Sequence, residues 1–294
     1  MRVTTQLMVN NTLRRLTDRL DRYESAQEQL ATGRRVVRPA DDNSSAARAL
    51  SLRATSRARQ QVVRNADDAV SHLDRADSEL SSVSTTMQRV RDLALRAAND
   101  VSAEERGAIA TELTALRDQL VAVANTEHDG RPLFAGTADG AAVENVGGTW
   151  TYGGDDGAVL RRVSEQDRVQ VNVTAADAFG FTAGQDVFTT IDQLVVDLGT
   201  GDQAGISASL DRIDTGLAAV NGARARIGAT TNRVESAADR VEGTILSLRS
   251  ELAEVQDVDL EEAIMELRVQ EVAYEATLSA LGRSLPTSLV SFLR

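Results

Sequence analysis

The chain has 294 residues, a formal net charge of −12, 3% aromatic residues and no cysteine. The length allows two or three domains, while the absence of thiols excludes disulfides, thiolate metal sites and cysteine nucleophiles. Few aromatics amid abundant Ala, Leu, Val, Arg, Asp and Glu describe long helices packed side by side, not a compact enzyme core.

The first apolar run is Leu13, Leu16, Leu20, Tyr23, Gln27 and Leu30, in alternating steps of three and four, and Thr32-Gly33 reads as its helix stop. Asp41-Asp42 follows Pro39 and precedes the helix-favouring run Ser44 to Leu52, so a charge role at a helix N-terminus is expected. From Val62 the series Ala66, Ala69, Leu73, Ala76, Leu80, Val83, Met87, Val90, Ala94, Ala97 steps by four and three without a slip, a heptad seam of five repeats. Ser102 with Glu105 has the interval of a capping box before Ile109, Leu113, Leu116, Leu120 and Val123, and His128-Asp129-Gly130 reads as a second helix stop.

Between Thr137 and Asp186 glycine pairs and short alternating runs around Trp150, Tyr152, Val159, Leu160, Val163, Val169, Val171 and Val173 predict a small β-rich insert. A longer seam then runs from Ile213 through Leu217, Val220, Ile227, Val234, Ala238, Val241, Ile245, Leu248, Leu252 and Val255, interrupted by Arg224 and Thr231. Asp259 with Glu262 repeats the capping interval before a last helix bearing Ala263, Ala273, Ala276 and Ala280.

Heptad stripes cannot stay in water, so the helices before the insert need partners of similar length, and the C-terminal helices are the natural ones. The expected fold is mainly α: a long antiparallel coiled-coil rod formed by the N- and C-terminal segments, with the β-rich domain at the far end. Residues 1–33 with 258–294 form a terminal helical pair, 34–136 with 187–257 the rod, and 137–186 the insert. The terminal seam is thin enough that this pair is expected to be disordered in the monomer and to fold on assembly.

Charge agrees with pairing of the ends. Residues 1–64 carry 13 Arg against 6 acids, whereas the stretch from Glu251 carries nine acids and three Arg. Asp18, Asp21, Glu24 and Glu28 are interleaved with the basic residues, which argues against nucleic acid as a partner. No stretch approaches the roughly 18 apolar residues of a membrane span, and the first residues lack the apolar core and cleavage site of a secretory signal. No membrane partner is expected.

The two histidines, His72 and His128, lie in different elements without a triad or metal pattern, and both are expected at the surface. Gly153-Gly154-Asp155-Asp156-Gly157 matches neither a phosphate loop nor a calcium loop and reads as a β-turn. Asn172-Val173-Thr174 is a sequon of the kind that arises by accident. No catalytic constellation, cofactor or metal site emerges, and the residues singled out are interface residues. Leu13, Leu16, Leu20, Leu267, Tyr274, Leu278, Leu281 and Phe292 are assigned to terminal helix packing, and Arg34, Arg35 and Arg38 to contacts between subunits.

Several segments carry a resemblance: Met1-Arg2-Val3-Thr4-Thr5-Gln6-Leu7-Met8 at the start, Glu28-Gln29-Leu30-Ala31-Thr32-Gly33-Arg34-Arg35-Val36, Arg38-Pro39-Ala40-Asp41-Asp42, Gly130-Arg131-Pro132-Leu133-Phe134-Ala135-Gly136, and Phe292-Leu293-Arg294 at the end. Together they resemble the flagellin superfamily and, within it, the family of hook–filament junction proteins, with Asn43 where that family often has Pro. The resemblance implies a structural, non-enzymatic adaptor, exported to the extracellular flagellum by the type III route without a cleaved signal. The partners it implies are hook-associated protein 1, flagellin, other copies of the chain, and an export chaperone on the C-terminal helix. A short flagellin forming the filament itself is the alternative, and a cytoplasmic coiled-coil scaffold is a third reading from another class.

Overall fold

The computed structural model describes residues 2–40, 42–99, 101–164 and 167–284. In chain order these form α1 (Arg2–Thr32), α2 (Asn43–Ala98), α3 (Ala103–Ala124), β1 (Glu127–His128), β2 (Arg131–Pro132), β3 (Val143–Val146), β4 (Thr149–Tyr152), β5 (Leu160–Arg162), β6 (Arg168–Gln170), α4 (Ala175–Ala178), α5 (Val187–Thr200), α6 (Gln203–Gln256) and α7 (Leu260–Ser284). Two compact units divide the chain, one of residues 1–58 with 244–294 and one of residues 59–243.

In the 59–243 unit every position of the seam from Val62 to Ala97 is buried. Ion pairs fix how α2 meets its neighbours. Arg91 pairs with Asp214 at 2.5 Å, Ser84 donates to Asn221 Oδ1 at 3.4 Å, and Arg224 pairs with Asp77 at 3.0 Å. Seven residues back from Arg91 to Ser84 on α2 are answered by seven forward from Asp214 to Asn221 on α6, so the two helices run antiparallel in a heptad register. Arg224, a polar interruption in the second seam, is explained by its carboxylate partner on α2. In the same way Arg96–Glu105 at 3.0 Å and Arg89–Glu112 at 2.6 Å lay α3 antiparallel on α2. These pairs are largely exposed, where solvent screening leaves an ion pair little net stabilisation. They select register, and burial of the seams supplies the stability.

Both capping intervals are realised. Ser102 Oγ accepts from the Glu105 N–H at 3.2 Å, and Asp259 Oδ1 from the Glu261 and Glu262 N–H groups. The separate helix α5 is an element the seam reading did not single out. Asp186 caps it by accepting from the Thr189 N–H at 2.7 Å, and its Val187, Phe188, Ile191, Leu194 and Leu198 are buried.

Between α3 and α5 lie three antiparallel two-stranded ribbons, β1–β2, β3–β4 and β5–β6. Isolated two-stranded ribbons are marginal in water; here Val143, Val163 and Val169 are buried in the core, and the scarce aromatics gather against the β3–β4 ribbon. Phe188 meets Phe179 at 5.4 Å, Trp150 at 5.6 Å and Phe181 at 5.9 Å between ring centroids, and Phe134 meets Phe179 edge-on at 5.9 Å. The segment also contains α4 and a 3-10 turn at Phe181–Ala183, so strands are a smaller part of it than the alternation suggested.

Two sequence expectations are corrected here. The His128-Asp129-Gly130 stretch does not stop a helix: α3 ends at Ala124, and Asp129 (φ 52°) with Gly130 (φ 74°) forms the two-residue turn of β1–β2. Positive φ at both positions is what such a turn requires. The Gly153–Gly157 stretch forms no hydrogen-bonded β-turn and links β4 of one ribbon to β5 of another. Instead the Asp155 carboxylate accepts from the Thr137 N–H and hydroxyl, both at 2.6 Å, and from the Gly157 N–H at 3.0 Å. These donors hold its pKa below the usual carboxylate range. Asn172, the sequon residue, is buried, with its amide donating to Gly157 O at 2.8 Å and accepting from Val159 N–H at 2.9 Å. It serves as a brace and is not free for modification.

Candidate assembly interface

The unit formed by residues 1–58 and 244–294 is built on a different balance. Its α1 and α7 pack on one another, with Tyr23 and Tyr274 stacked at 6.3 Å and 16° between ring planes. Leu16, Leu20, Leu267 and Tyr274 are only half-buried, while Leu13 and Leu278 remain 46% and 41% exposed. Leu281 belongs to the last turn of α7, but its side chain, like all of Phe292, lies outside the described residues. The largest fully buried side chains, from Leu73 to Leu198, all belong to the 59–243 unit. The α1–α7 pair is held by smaller buried groups such as Ala26 and Ala263. Such a pair gains little apolar burial against the entropy of ordering two long helices.

Where α1 ends, backbone bonds clasp the two chain segments together. Gly33, at φ 67°, closes α1 in the left-handed conformation that glycine adopts without strain. Its carbonyl accepts from the Val258 N–H at 3.0 Å, the Arg35 N–H donates to Gln256 O at 2.7 Å, and Arg34 forms an antiparallel bridge with Asp257. The Arg35 guanidinium adds a bond to Val255 O at 3.0 Å and lies 3.8 Å from Asp42. Arg38 pairs with Glu28 at 2.6 Å. The guanidiniums of Arg35 and Arg38, both assigned to subunit contacts, thus have partners within their own chain, while Arg34 is engaged through its backbone. Asp42 performs the expected N-terminal role on α2: its Oδ1 accepts from the Ser44 and Ser45 N–H groups and from the Ser44 hydroxyl. These bonds hold its carboxyl well below the usual carboxylate range.

Both ends of the chain match known proteins. The bacterial flagellin N-terminal helical region matches residues 3–139, and the bacterial flagellin C-terminal helical region matches residues 210–293, about three quarters of the chain together. The chain belongs to the bacterial flagellin family. It is 27% identical to flagellar hook-associated protein 3 of Escherichia coli over 95% of this chain and 96% of that one. It is 25% identical to the flagellin of Bacillus subtilis over the whole of both. A solved chain assigned to the flagellar hook-associated proteins of Vibrio parahaemolyticus is 26% identical with a TM-score of 0.71, covering 74% of this chain and all of that one.

This flagellin-family chain carries two features that the sequence reading passed over. On α7, Met265, Val269 and Val272 are 63%, 59% and 64% exposed, and their spacing of four and three forms a second apolar column away from the α1 contact. The spacing was there to be read. The other feature corrects the surface assignment of the histidines. His72 on α2 and His128 on β1 meet edge-on at 5.5 Å in the 59–243 unit, because the β1–β2 ribbon folds back onto α2. Among the described residues His72 Nε2 is buried without a hydrogen-bond partner. Asp68 and Asp129 stand near the pair, as do Arg131 and Arg161.

Burial first, then repulsion from His128 and Arg161, pushes the His72 pKa below its ordinary 6.5. A base whose pKa is depressed by folding binds its proton more readily when unfolded. Its contribution to stability is therefore complete above about pH 6.5 and is lost as pH falls from there toward the lowered folded value. The melting temperature of the full chain should drop between pH 7.5 and pH 5, and His72→Leu should flatten that slope. Asp155 and Asp214, with pKa lowered from 3.8, lose their contributions only in more acidic solution, so the windows separate. An unchanged slope in His72→Leu would remove the pair from the explanation.

Proposed function

We propose that this chain is the adaptor at the hook–filament junction of a bacterial flagellum, joining hook-associated protein 1 on one side to flagellin on the other through a ring of its own copies. The observation that carries this reading is the likeness to hook-associated protein 3 over nearly the full length of both chains. The Vibrio parahaemolyticus structure supports it. The role is structural and non-enzymatic, and the work is done by helical surfaces.

In this account the terminal helices, 1–33 and 258–294, are unfolded before assembly and fold on docking, which prevents premature polymerisation. The weakly buried α1–α7 pair and the exposed Met265, Val269 and Val272 support that account. Export proceeds by the flagellar type III route without a cleaved signal, with a chaperone covering the amphipathic C-terminal helix until release. Among the described residues no helix is long and apolar enough to cross a membrane. Limited proteolysis of the purified chain should trim both ends before residues 59–243 are cut, whereas resistant ends would contradict folding on assembly.

The full-length likeness to Bacillus subtilis flagellin favours a second reading, a short flagellin that forms the filament itself. The two separate in solution. The adaptor alone should not grow into long filaments, and filaments from the purified chain would favour the second reading.

A further inference from the structure

On the 1–58/244–294 unit, Arg15, Arg19 and Arg22 of α1 border a groove of about 550 Å³ whose other wall is Ala276, Thr277 and Ala280 of α7. Spaced by four and three, the arginines share one helix face. Among the described residues no carboxylate is within ion-pair distance of these three guanidiniums, and Asp18 is the acid lining the groove. The small residues opposite leave room for a helix to approach, and arginine forks suit carboxylates. At the other end of the same helical pair the charge is reversed. Residues 251–266 contain seven acids and no basic residue, and Glu254, Asp257, Glu261 and Glu262 among them enter no side-chain ion pair among the described residues.

Taking the adaptor reading as its basis, we infer that the Arg15/Arg19/Arg22 groove of one copy receives the acidic 251–266 segment of the next copy. The contact sets the stagger between neighbours in the ring. The two patches cannot satisfy each other within one chain. Tyr23 lies beside Tyr274, and Arg19 and Glu262 lie on opposite sides of that contact, about 24 Å apart along antiparallel helices rising 1.5 Å per residue. A basic patch and an acidic patch displaced along one axis make a heterologous contact, which propagates from copy to copy as a ring or helical array. Opposite charges facing each other at every step also disfavour unstaggered pairing, in which like patches would meet.

The chain has no cysteine, so an introduced pair reports only its own proximity. Flagella would be isolated from cells whose sole copy carries Arg19→Cys with Glu262→Cys, and from cells carrying each change alone. Both positions are too far apart to bridge within one chain. Oxidation should give a ladder of dimers and higher multimers from the double variant and none from either single variant. As a second test, Arg15→Glu with Arg19→Glu and Arg22→Glu should reduce filament-bearing cells at least tenfold, with recovery when Glu261→Arg, Glu262→Arg and Glu266→Arg are added. Normal filaments without a ladder, or charge reversal without effect, would overturn the groove assignment and leave the adaptor reading standing. Normal filaments in cells lacking the chain altogether would overturn the adaptor reading itself.

Discussion

Phe188→Ala should lower the unfolding free energy of the chain by about 3–5 kcal/mol, the range for emptying a fully buried aromatic site. Phe188 has no exposed surface and touches Phe179, Phe181 and Trp150. Through Trp150, whose Nε1 donates to Asp192 at 2.7 Å, it supports the β3–β4 ribbon as well as α5. With few large side chains in the sequence, the neighbours cannot close the cavity by rearranging. The check is chemical denaturation followed by near-ultraviolet circular dichroism of the aromatic cluster. Retention of most of the wild-type stability would mean that the β3–β4 ribbon is held by something other than this cluster.

A charge at Leu20 should act on assembly and leave folding of the 59–243 unit intact. Leu20 is half-buried on the face of α1 that carries Tyr23. Leu20→Asp would place a carboxylate where assembly removes the remaining water, at a cost of about 2 kcal/mol or more per subunit. Repeated in each copy of a ring, that cost should abolish filament attachment. Circular dichroism and the main melting transition should change little, since substitutions outside a packed core usually alter stability within about 0.5 kcal/mol. Leu278→Asp, 41% exposed on the face of α7 that carries Tyr274, should behave alike. Normal filaments with Leu20→Asp and Leu278→Asp combined would show that this helical pair is not an assembly surface.

The long seams were legible because heptad spacing is a direct statement about which residues leave water. Every residue from Val62 to Ala97 that the spacing selected is buried. Arg224, which looked like a flaw in the second seam, turned out to be a register device paired with Asp77. The helix α5 was legible but passed over: its 14 residues are too few for a sustained heptad series, yet Asp186 and Gly201 mark both of its ends. The ribbons were harder. Strands of two to four residues offer little alternation to count, and their placement depends on contacts far apart in sequence, such as Trp150 with Phe188. The His72–His128 contact was beyond local reading for the same reason, since 56 positions separate two residues whose meeting depends on the fold of the ribbon. At the candidate interface, the sequence indicated that α1 and α7 would meet. It could not indicate that Arg35 and Arg38 would find partners in their own chain, because that depends on the backbone clasp between Gly33 and Val258.

The adaptor account is tested most directly by electron microscopy of cells lacking this chain, together with an assay for flagellin in their medium. Hooks without filaments, and flagellin shed as soluble subunits, are the predicted result. Normal filaments in those cells would contradict it, and bare hooks with no flagellin anywhere would point instead to this chain as the filament protein.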